Sequence, residues 1–289
     1  MFAKLLDATK ASCSGQQARP FRIGIGLADS RVAEAVAIDL EAKLGRFPIT
    51  LAAYQAGRSC PDHLIDDGPV GLHPCPDPTI EMISDFKAGK VHAIIRGQLS
   101  SSAFLAELKR QFRVKYTYRL ALLSTAAGHD FFFAPVGIDE GGDSGQKEEL
   151  IEYANQILQQ LDIMPSFYLL SAGRLDDAGR SQRVQNSISR TIRLVEKLKL
   201  NHPSLAVQHG EILIENAFEK GANTIIAPDG ISGNLIYRTL LHLGSGHSHG
   251  AYYLGPGFPG PVMDTSRVGT VEEYVGAVVL ALRLLISRA

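Results

Sequence analysis

Phe21-Arg-Ile-Gly-Ile-Gly-Leu27 is a mostly apolar run, and a helical pattern follows it after only a few residues. A short apolar run of this kind indicates a buried strand. Asp29 or Ser30 can cap the next helix, which we predict from Val32 to about Leu44. A buried strand joined directly to a helix begins a βαβ unit, so this stretch predicts an α/β fold with a mostly parallel sheet.

The alternation of strand and helix continues toward the middle of the chain. Apolar runs predict strands at 49–54 and 91–95, and periodic segments predict helices at 79–87 and 100–110. Residues 57–79 are rich in Pro, Gly and Asp, which favours a loop.

The pattern changes after Tyr118. Two apolar segments separated by Ala126-Ala-Gly128 predict an antiparallel hairpin. Residues 244–261, rich in Gly, His and Pro, are predicted to form a loop. The other predicted strands are 166–170, 205–207 and 223–227, and the other predicted helices are 147–161, 181–200, 211–220, 233–243 and 271–287.

Composition argues against several classes of function. The 289 residues carry 29 Lys and Arg against 30 Asp and Glu, without a basic block, so nucleic acid is not an expected partner. The N-terminus lacks the apolar run of a signal peptide, and Val275–Ile286 contains Arg283 and is too short to cross a bilayer. Cys13, Cys60 and Cys75 form no CxxC pair, which suggests reduced thiols. We therefore expect a cytoplasmic protein without a membrane partner.

A hydroxyl and a guanidinium stand side by side near the C-terminus, in Asp264-Thr-Ser-Arg-Val-Gly-Thr-Val-Glu-Glu-Tyr274. Ser266 and Arg267 offer hydrogen-bonding groups that suit phosphate or carboxylate. Thr270 and Glu273 have the spacing of a capping box at the start of the last helix. Two interpretations stay open for this segment: a helix cap, or an anion site with a base beside it.

Five further positions are candidate ligands for an anionic substrate. Arg96 ends a predicted strand and Ser100 begins a helix, and such a corner binds anions readily. Arg119 is a second cation. Asp229 and Asn234 follow a strand end, the usual place for ligands in open α/β sheets. Each position has a structural alternative, since arginines form surface ion pairs while Asp and Asn form turns and helix caps; for Asn234 we favour the structural one.

A metal site is not predicted. His242, His247 and His249 lie close together in the sequence, but no Cys or carboxylate completes a familiar ligand spacing. No covalently bound cofactor is expected either.

The C-terminal motifs resemble those of the phosphotransacylases, the phosphate acetyl- and butyryltransferase family. Residues 227–238, Ala-Pro-Asp-Gly-Ile-Ser-Gly-Asn-Leu-Ile-Tyr-Arg, are similar to that family's Pro-Asp-x-x-x-Gly-Asn-x-x-Tyr-Lys. The Ser266-Arg267 turn resembles its Ser-Arg turn, and Glu273 stands six positions after the arginine, where the family has an acidic residue. The resemblance covers roughly residues 165–280.

The resemblance implies a fold and an assembly. The family folds as two three-layer α/β subdomains with a cleft between them, like the isocitrate and isopropylmalate dehydrogenases, and forms homodimers. The implied first subdomain is residues 1–125 plus 265–289, and the implied second is residues 126–264.

The resemblance also implies a chemistry. In the family, the serine and arginine of the late turn position the acyl group, the phosphate and the thiol of coenzyme A, and the acidic residue takes the thiol proton. These roles carry over to Ser266, Arg267 and Glu273 as catalytic residues, with coenzyme A or another thiol- or phosphate-bearing cosubstrate. A thiol needs such a base because its pKa near 8.5 leaves it mostly protonated at neutral pH.

Within this superfamily, the chain resembles in particular the archaeal group called MtxX, or methanogenesis marker protein 4. The Ile-Arg96-Gly-Gln-Leu-Ser100 corner and the Pro-Asp-Gly-x-Ser-Gly-Asn form of the motif carry that resemblance. The group is labelled a methyltransferase subunit, linked to tetrahydromethanopterin and coenzyme M in methanogenesis. The sequence contains neither the acidic/Gly pattern of S-adenosylmethionine sites nor the Asp-x-His-x-x-Gly of corrinoid modules. Methyl donor and carrier are therefore expected on partner methyltransferase subunits.

One departure from the phosphotransacylase pattern keeps three hypotheses open. That family carries a Ser-Pro-Val-Ala-Gly-type loop before its Pro-Asp strand, whereas Glu219-Lys-Gly-Ala-Asn-Thr224 enters the strand directly. The first hypothesis is a group transferase of the MtxX type that acts on a small anionic or thiol-bearing metabolite. The second is a phosphate acyltransferase using acyl-coenzyme A and phosphate, and the third is a non-catalytic protein that binds a metabolite or a partner.

Overall fold

A computed structural model describes residues 1–13, 21–45, 49–57 and 69–288. The elements in chain order are α1 (Phe2–Cys13), β1 (Phe21–Gly26), α2 (Ser30–Leu44), β2 (Ile49–Ala56), β3 (Val70–Cys75), α3 (Pro78–Lys87), β4 (Ala93–Ile95), α4 (Ser101–Phe112), β5 (Tyr118–Ser124), β6 (Asp130–Ala134), α5 (Ser144–Gln160), β7 (Ser166–Leu170), α6 (Gln182–Asn201), β8 (Ala206–Glu211), β9 (Thr224–Ile226), α7 (Gly230–His242), β10 (His247–Leu254), β11 (Val262–Asp264) and α8 (Val271–Ser287).

The chain divides into two compact units. The first is Met1–Thr117 with Ser248–Ala289, and the second is Tyr118–His247. The divisions therefore fall earlier than the positions 125 and 265 implied by the family resemblance. The pairing of β5 with β6 keeps the whole hairpin in the second unit, and the pairing of β10 with β11 keeps both of those strands mostly in the first.

The first unit is built on a mixed sheet. Its strands follow the order β3-β2-β1-β4-β11-β10, all parallel except β10, which runs antiparallel to β11. Ile23 and Ile25 of β1 are completely buried, as the opening apolar run predicts. Helix α8 packs against α1 and α2 and is buried along most of its length, which explains its nearly unbroken apolar sequence. None of the helices in the described ranges is long and apolar enough to cross a membrane.

The second unit has its own mixed sheet, in the order β5-β6-β9-β7-β8. β5 and β6 form the predicted antiparallel hairpin, while β6, β9, β7 and β8 run parallel. These parallel strands bring their carboxyl ends to one side of the unit, where the loops leading into α5, α6 and α7 begin.

Helix starts follow the sequence closely. In seven helices, α2 to α8, an Asp, Ser or Thr side chain precedes the helix and accepts a backbone N–H of the first turn. Such a bond satisfies a donor that has no partner inside the helix. The predicted caps Asp29 and Ser100 are among them.

Four local predictions were wrong or incomplete. Residues 70–75 form strand β3 instead of a loop, because they pair with β2, and Pro74 is tolerated because β3 ends the sheet order; residues 58–68 lie outside the described ranges. The predicted loop 244–261 contains β10. The predicted helix 211–220 contains only a short 3₁₀ turn at Ile214–Asn216. Helix α1 was not predicted.

The cysteine prediction is tested at one position. Cys75 is a buried free thiol on β3, and burial raises its pKa to about 11. Cys60 and the side chain of Cys13 lie outside the described residues.

Candidate functional sites

The late turn, residues 264–273, is the first candidate site. Thr270 caps α8, with its hydroxyl accepting the backbone N–H of Glu273 at 3.3 Å. The Glu273 carboxylate, however, accepts the backbone N–H of Ser266 at 3.0 Å. The segment is therefore both a helix cap and a turn folded around a carboxylate, so the two interpretations from the sequence are compatible.

Glu273 is the buried acid of this turn. Only 5% of the residue is exposed, and burial raises the pKa of its carboxyl to about 7, against opposing hydrogen bonds from the Ser266 N–H and the Ser248 hydroxyl. The nearby Asp264 also raises the pKa, and Arg96 lowers it. A carboxyl that titrates near neutral pH can accept a proton and return it, which is the property of a general base.

Arg96 holds the backbone of the late turn. Its guanidinium forms a buried ion pair with Asp264 and donates to the carbonyl oxygens of Thr265, Gly97 and Leu99. At least four of its N–H groups are thus used inside the unit. The structure gives Arg96 a positioning role that the sequence did not predict, and its role as an anion ligand stays a prediction.

The two groups beside the carboxylate differ in access. Arg267 is exposed, whereas Ser266 is half-buried and its hydroxyl accepts the N–H of Val268 at 3.3 Å. The carbonyl of Ser266 accepts the Tyr274 hydroxyl at 3.0 Å, which fixes the turn from its other side. The exposed cation and the hydroxyl thus belong to a turn whose backbone is bonded to the carboxylate of Glu273.

A pocket of about 840 Å³ in the second unit is the second candidate site. It lies where β7, β8 and β9 end and where α5, α6 and α7 begin, and we call it the strand-end pocket. Ligands in open α/β sheets bind at such carboxyl ends. Its apolar walls are Leu170, Val184, Ile212, Ile214, Pro228 and Ile236.

Asp229 lines this pocket and also caps α7. Its carboxylate accepts the Ser232 N–H at 2.8 Å and the Ser232 hydroxyl at 2.6 Å. Burial tends to raise its pKa, but the Ser232 bonds together with Lys147 and Arg183 lower the pKa overall. Gly230 lets α7 start this close to the neighbouring loop, because a Cβ there would stand 1.9 Å from the carbonyl oxygen of Gly137.

Three cations share the strand-end pocket: Lys147, Arg183 and Arg190. Arg183, Ser187 and Arg190 follow one face of α6 at helical spacing. Burial is the main cause that lowers the pKa of the Lys147 ammonium; Asp229 and Asp143 partly oppose it.

The remaining predicted ligands have structural contacts. Ser100 caps α4. The side-chain amide of Asn234 donates to the carbonyl of Val136 at 2.8 Å, which is a structural contact between distant residues and not the local turn or cap suggested by the sequence. Arg119 forms an ion pair with the buried Glu140, with Nε 2.7 Å from Oε1. Arg119 and Ser100 as anion ligands stay predictions.

A cluster that the sequence did not indicate joins His73, Glu81 and Asp85. Their ligand atoms lie within 4.8 Å of one another. Asp85 already accepts the Tyr54 hydroxyl at 2.9 Å and the Lys90 ammonium at 2.8 Å, so a positive charge balances it. Glu81 and Asp85 lie one turn apart on α3, and the packing of α3 against β3 brings His73 to them.

The strand-end pocket shows what sequence reasoning missed. Asp229 and the Ser-rich helix were noticed, but Lys147, Arg183 and Arg190 were not singled out. The spacing of Arg183, Ser187 and Arg190 on one helical face was a usable signal. Lys147 had none, because its position depends on how α5 packs beside α6.

Comparison of the sequence with known proteins gives relatives from methanogens. No family model matches the chain. It is 43% identical over 196 residues to a protein of Methanosarcina mazei named "Putative methyltransferase mtx subunit X", which covers 66% of each chain. It is equally identical to the protein of that name in Methanosarcina barkeri, over 66% of this chain and 68% of that one. An "Uncharacterized methyltransferase" of Methanocaldococcus jannaschii is 34% identical over 66% of this chain and 78% of its own.

Solved structures share the fold at low sequence identity. A phosphotransacetylase from Streptococcus pyogenes matches with a TM-score of 0.73 at 17% identity, over 100% of both chains. A branched-chain phosphotransacylase from Enterococcus faecalis matches at 0.69 and 17% identity, over 92% of this chain and 99% of that one. A 4-hydroxythreonine-4-phosphate dehydrogenase from Klebsiella pneumoniae matches at 0.55 and 11% identity, over 91% and 99%. At these identities the likeness shows an α/β fold of the phosphotransacylase type.

Proposed function

This chain belongs to the mtx subunit X family of methanogen proteins, and from that premise we propose that it is a group transferase that works as one subunit of a methyltransferase. The late turn is its catalytic element. Glu273 is the base, and Ser266 and Arg267 bind a thiol-bearing, anionic acceptor. The observation that supports this proposal most directly is the buried Glu273 carboxyl, which accepts a hydrogen bond from the Ser266 N–H and has a pKa of about 7.

The proposed step transfers a methyl group to sulfur. Glu273 takes the proton of the acceptor thiol, the sulfur forms a bond to the methyl carbon, and the donor leaves with the electron pair of its former bond to that carbon. A base near pKa 7 suits a thiol near 8.5, because the proton transfer is then only slightly uphill. Arg267 is exposed and offers a fork that matches an oxyanion on the acceptor.

The names of the relatives support the participation of a partner protein in this step. They describe a subunit, and we propose that a methyl-carrying protein supplies the donor to this chain. Homodimer formation and a cytoplasmic location complete the proposal.

Methyl transfer from methylcobalamin to coenzyme M is the direct test, with wild type, Glu273→Gln and Glu272→Gln compared. Glu272 is the exposed neighbour of Glu273 on the same helix turn, so its variant is the matched control. We expect the Glu273 variant to lose about 100-fold or more of the rate, the usual contribution of a general base, and the Glu272 variant to keep it. Equal rates for all three proteins would contradict the assignment of Glu273.

Phosphate acyltransfer is the second candidate, favoured by the same turn and its resemblance to the phosphotransacylase Ser-Arg turn. Here a phosphate oxygen attacks the acyl carbon of acyl-coenzyme A, and the thiolate leaves and takes up a proton from Glu273. Acyl-phosphate formation from acetyl-, propionyl- and butyryl-coenzyme A, compared between wild type and Arg267→Ala, tests it. Turnover that disappears in the variant would establish this reaction. Absence of both reactions would favour the third hypothesis, a non-catalytic binding protein.

A further inference from the structure

The cations of the strand-end pocket are set apart by lining one pocket together, since exposed cations of this unit such as Arg193 and Arg238 also form no ion pair among the described residues. Arg119, Arg180 and Lys197 each form an ion pair with a carboxylate, at 2.7 to 3.0 Å. In the part of the chain that the structure describes, Lys147, Arg183 and Arg190 form no ion pair within 4 Å. Three positive groups thus meet in one pocket without a carboxylate in contact with them.

The acids of the pocket do not neutralise these cations by contact. Asp143 accepts the backbone N–H of Gln146 at 2.9 Å and its side-chain amide at 3.1 Å. Asp229 is bonded to Ser232. Both carboxylates therefore serve the starts of α5 and α7, and the three cations retain their hydrogen-bond donors for a ligand.

The other residues that line the pocket indicate what a ligand would contain besides a group that binds the cations. Ser144 and Ser232 add hydroxyls at the two helix starts, and the apolar walls of Val184, Ile212 and Ile236 give the pocket a surface that water solvates poorly. A volume of about 840 Å³ exceeds what a single inorganic ion fills. The pocket is therefore built for an organic molecule that carries an oxyanion group.

We propose that the strand-end pocket binds a small organic phosphate, with the phosphate group between Lys147, Arg183 and Arg190 and the organic part against the apolar walls. Phosphate fits better than carboxylate, because its three terminal oxygens and nearly two negative charges can engage three separate cations. Arginine forks and a lysine point charge are the usual phosphate ligands. The inference does not depend on the role of Glu273, which lies in the other unit.

Calorimetric titration with three probes tests the ligand class: phenyl phosphate, benzoate and inorganic phosphate. Benzoate keeps the ring and replaces phosphate by carboxylate, and inorganic phosphate lacks the ring. We expect phenyl phosphate to bind about tenfold more tightly than either, since it alone uses both the cations and the apolar walls. Benzoate binding as tightly as phenyl phosphate would overturn the phosphate assignment, and no saturable binding of phenyl phosphate would overturn the site.

Variants locate the binding. Lys147→Met and Arg190→Met remove pocket cations, and Arg193→Met removes an exposed arginine one turn further along α6, outside the pocket. We expect each pocket variant to weaken phenyl phosphate binding by about tenfold, and the Arg193 variant to bind as wild type. Equal affinity in all four proteins, or equal weakening by the Arg193 variant, would overturn the proposal. Arg190 is exposed, so its substitution should leave the fold intact and tests the site independently of Lys147→Met.

Discussion

The late turn and the strand-end pocket each contain an ionisable side chain whose pKa is shifted by burial, Glu273 buried and Lys147 half-buried, but the two shifts have opposite directions. At the late turn, burial raises the pKa of Glu273, and the Ser266 N–H, Arg96 and Asp264 near it are held by internal bonds. In the strand-end pocket, burial lowers the pKa of Lys147, and its ammonium has no ion-pair partner among the described residues. The first arrangement suits proton transfer, and the second suits the binding of an anion.

Both arrangements oppose folding at neutral pH. A carboxyl whose pKa is raised by burial and an ammonium whose pKa is lowered by burial are each more stable in their charged forms in the unfolded chain. Sites of this kind are typical of function, because packing alone would select an apolar side chain at either position. The difference predicts which substitutions harm stability and which improve it.

The largest stability effect is expected from Arg96→Met. It leaves the buried Asp264 without its partner and frees the carbonyl of Thr265, so we expect a loss of about 3–5 kcal/mol in the free energy of unfolding. Arg110→Met is the control, since Arg110 is exposed and water screens its pair with Glu107, so we expect little loss. Urea unfolding measures both. If the two variants lost similar free energies of unfolding, the Arg96–Asp264 pair would contribute no more to stability than an ordinary surface pair.

The raised pKa of Glu273 predicts a smaller effect, a dependence of the free energy of unfolding on pH. Its pKa is 4.5 in the unfolded chain and about 7 when folded, so the folded state holds the proton more tightly between those values. Stability from this group is therefore complete below about pH 4.5, falls as the pH rises to about 7, and is constant above, a total on the order of 3 kcal/mol.

Glu273→Gln isolates that dependence. We expect its unfolding free energy to fall less than that of wild type between pH 5 and pH 7.5, measured by urea unfolding at several pH values. The transferase rate of wild type should rise through about pH 7 as the base loses its proton. Parallel stability curves for the two proteins would show that the carboxyl titrates normally.

Two substitutions of Asp229 distinguish its role as the cap of α7 from the effect of its charge in the strand-end pocket. Asp229→Ala removes the cap of α7 and should cost about 1 kcal/mol, whereas Asp229→Asn keeps a capping oxygen and should change stability by only a few tenths. Thermal unfolding compares them. If the Asn variant loses as much as the Ala variant, the charge of Asp229 beside Lys147 and Arg183 is what stabilises the unit.

The smallest expected change in stability is a gain instead of a loss. Lys147→Met removes a desolvated ammonium without an ion pair, so we expect the ligand-free protein to gain roughly 0.5–1 kcal/mol at pH 7. The lowered pKa means that wild-type stability rises with pH between the folded pKa and 10.5, and this rise should be absent in the variant. Destabilisation by Lys147→Met at pH 7 would indicate that the ammonium has a structural partner.

Local sequence signals predicted much of the fold. The apolar run at 21–27, the capping residues Asp29, Ser100 and Thr270, and the hairpin after Tyr118 depend on interactions within a few residues, and the structure confirms them. The sequence did not predict β3 and β10. Whether a segment that contains Gly or Pro forms a strand is decided by the strands with which it pairs in the sheet.

By itself, the sequence determined the family, the α/β class and the Ser266-Arg267-Glu273 turn, because motifs and periodicity are properties of short segments. The tertiary structure alone decided that Glu273 is buried beside Arg96 and Asp264, and that Lys147 meets Arg183 and Arg190 in a pocket. The charge state of a side chain depends on the water and the charges around it, and these come from residues that are distant in the chain.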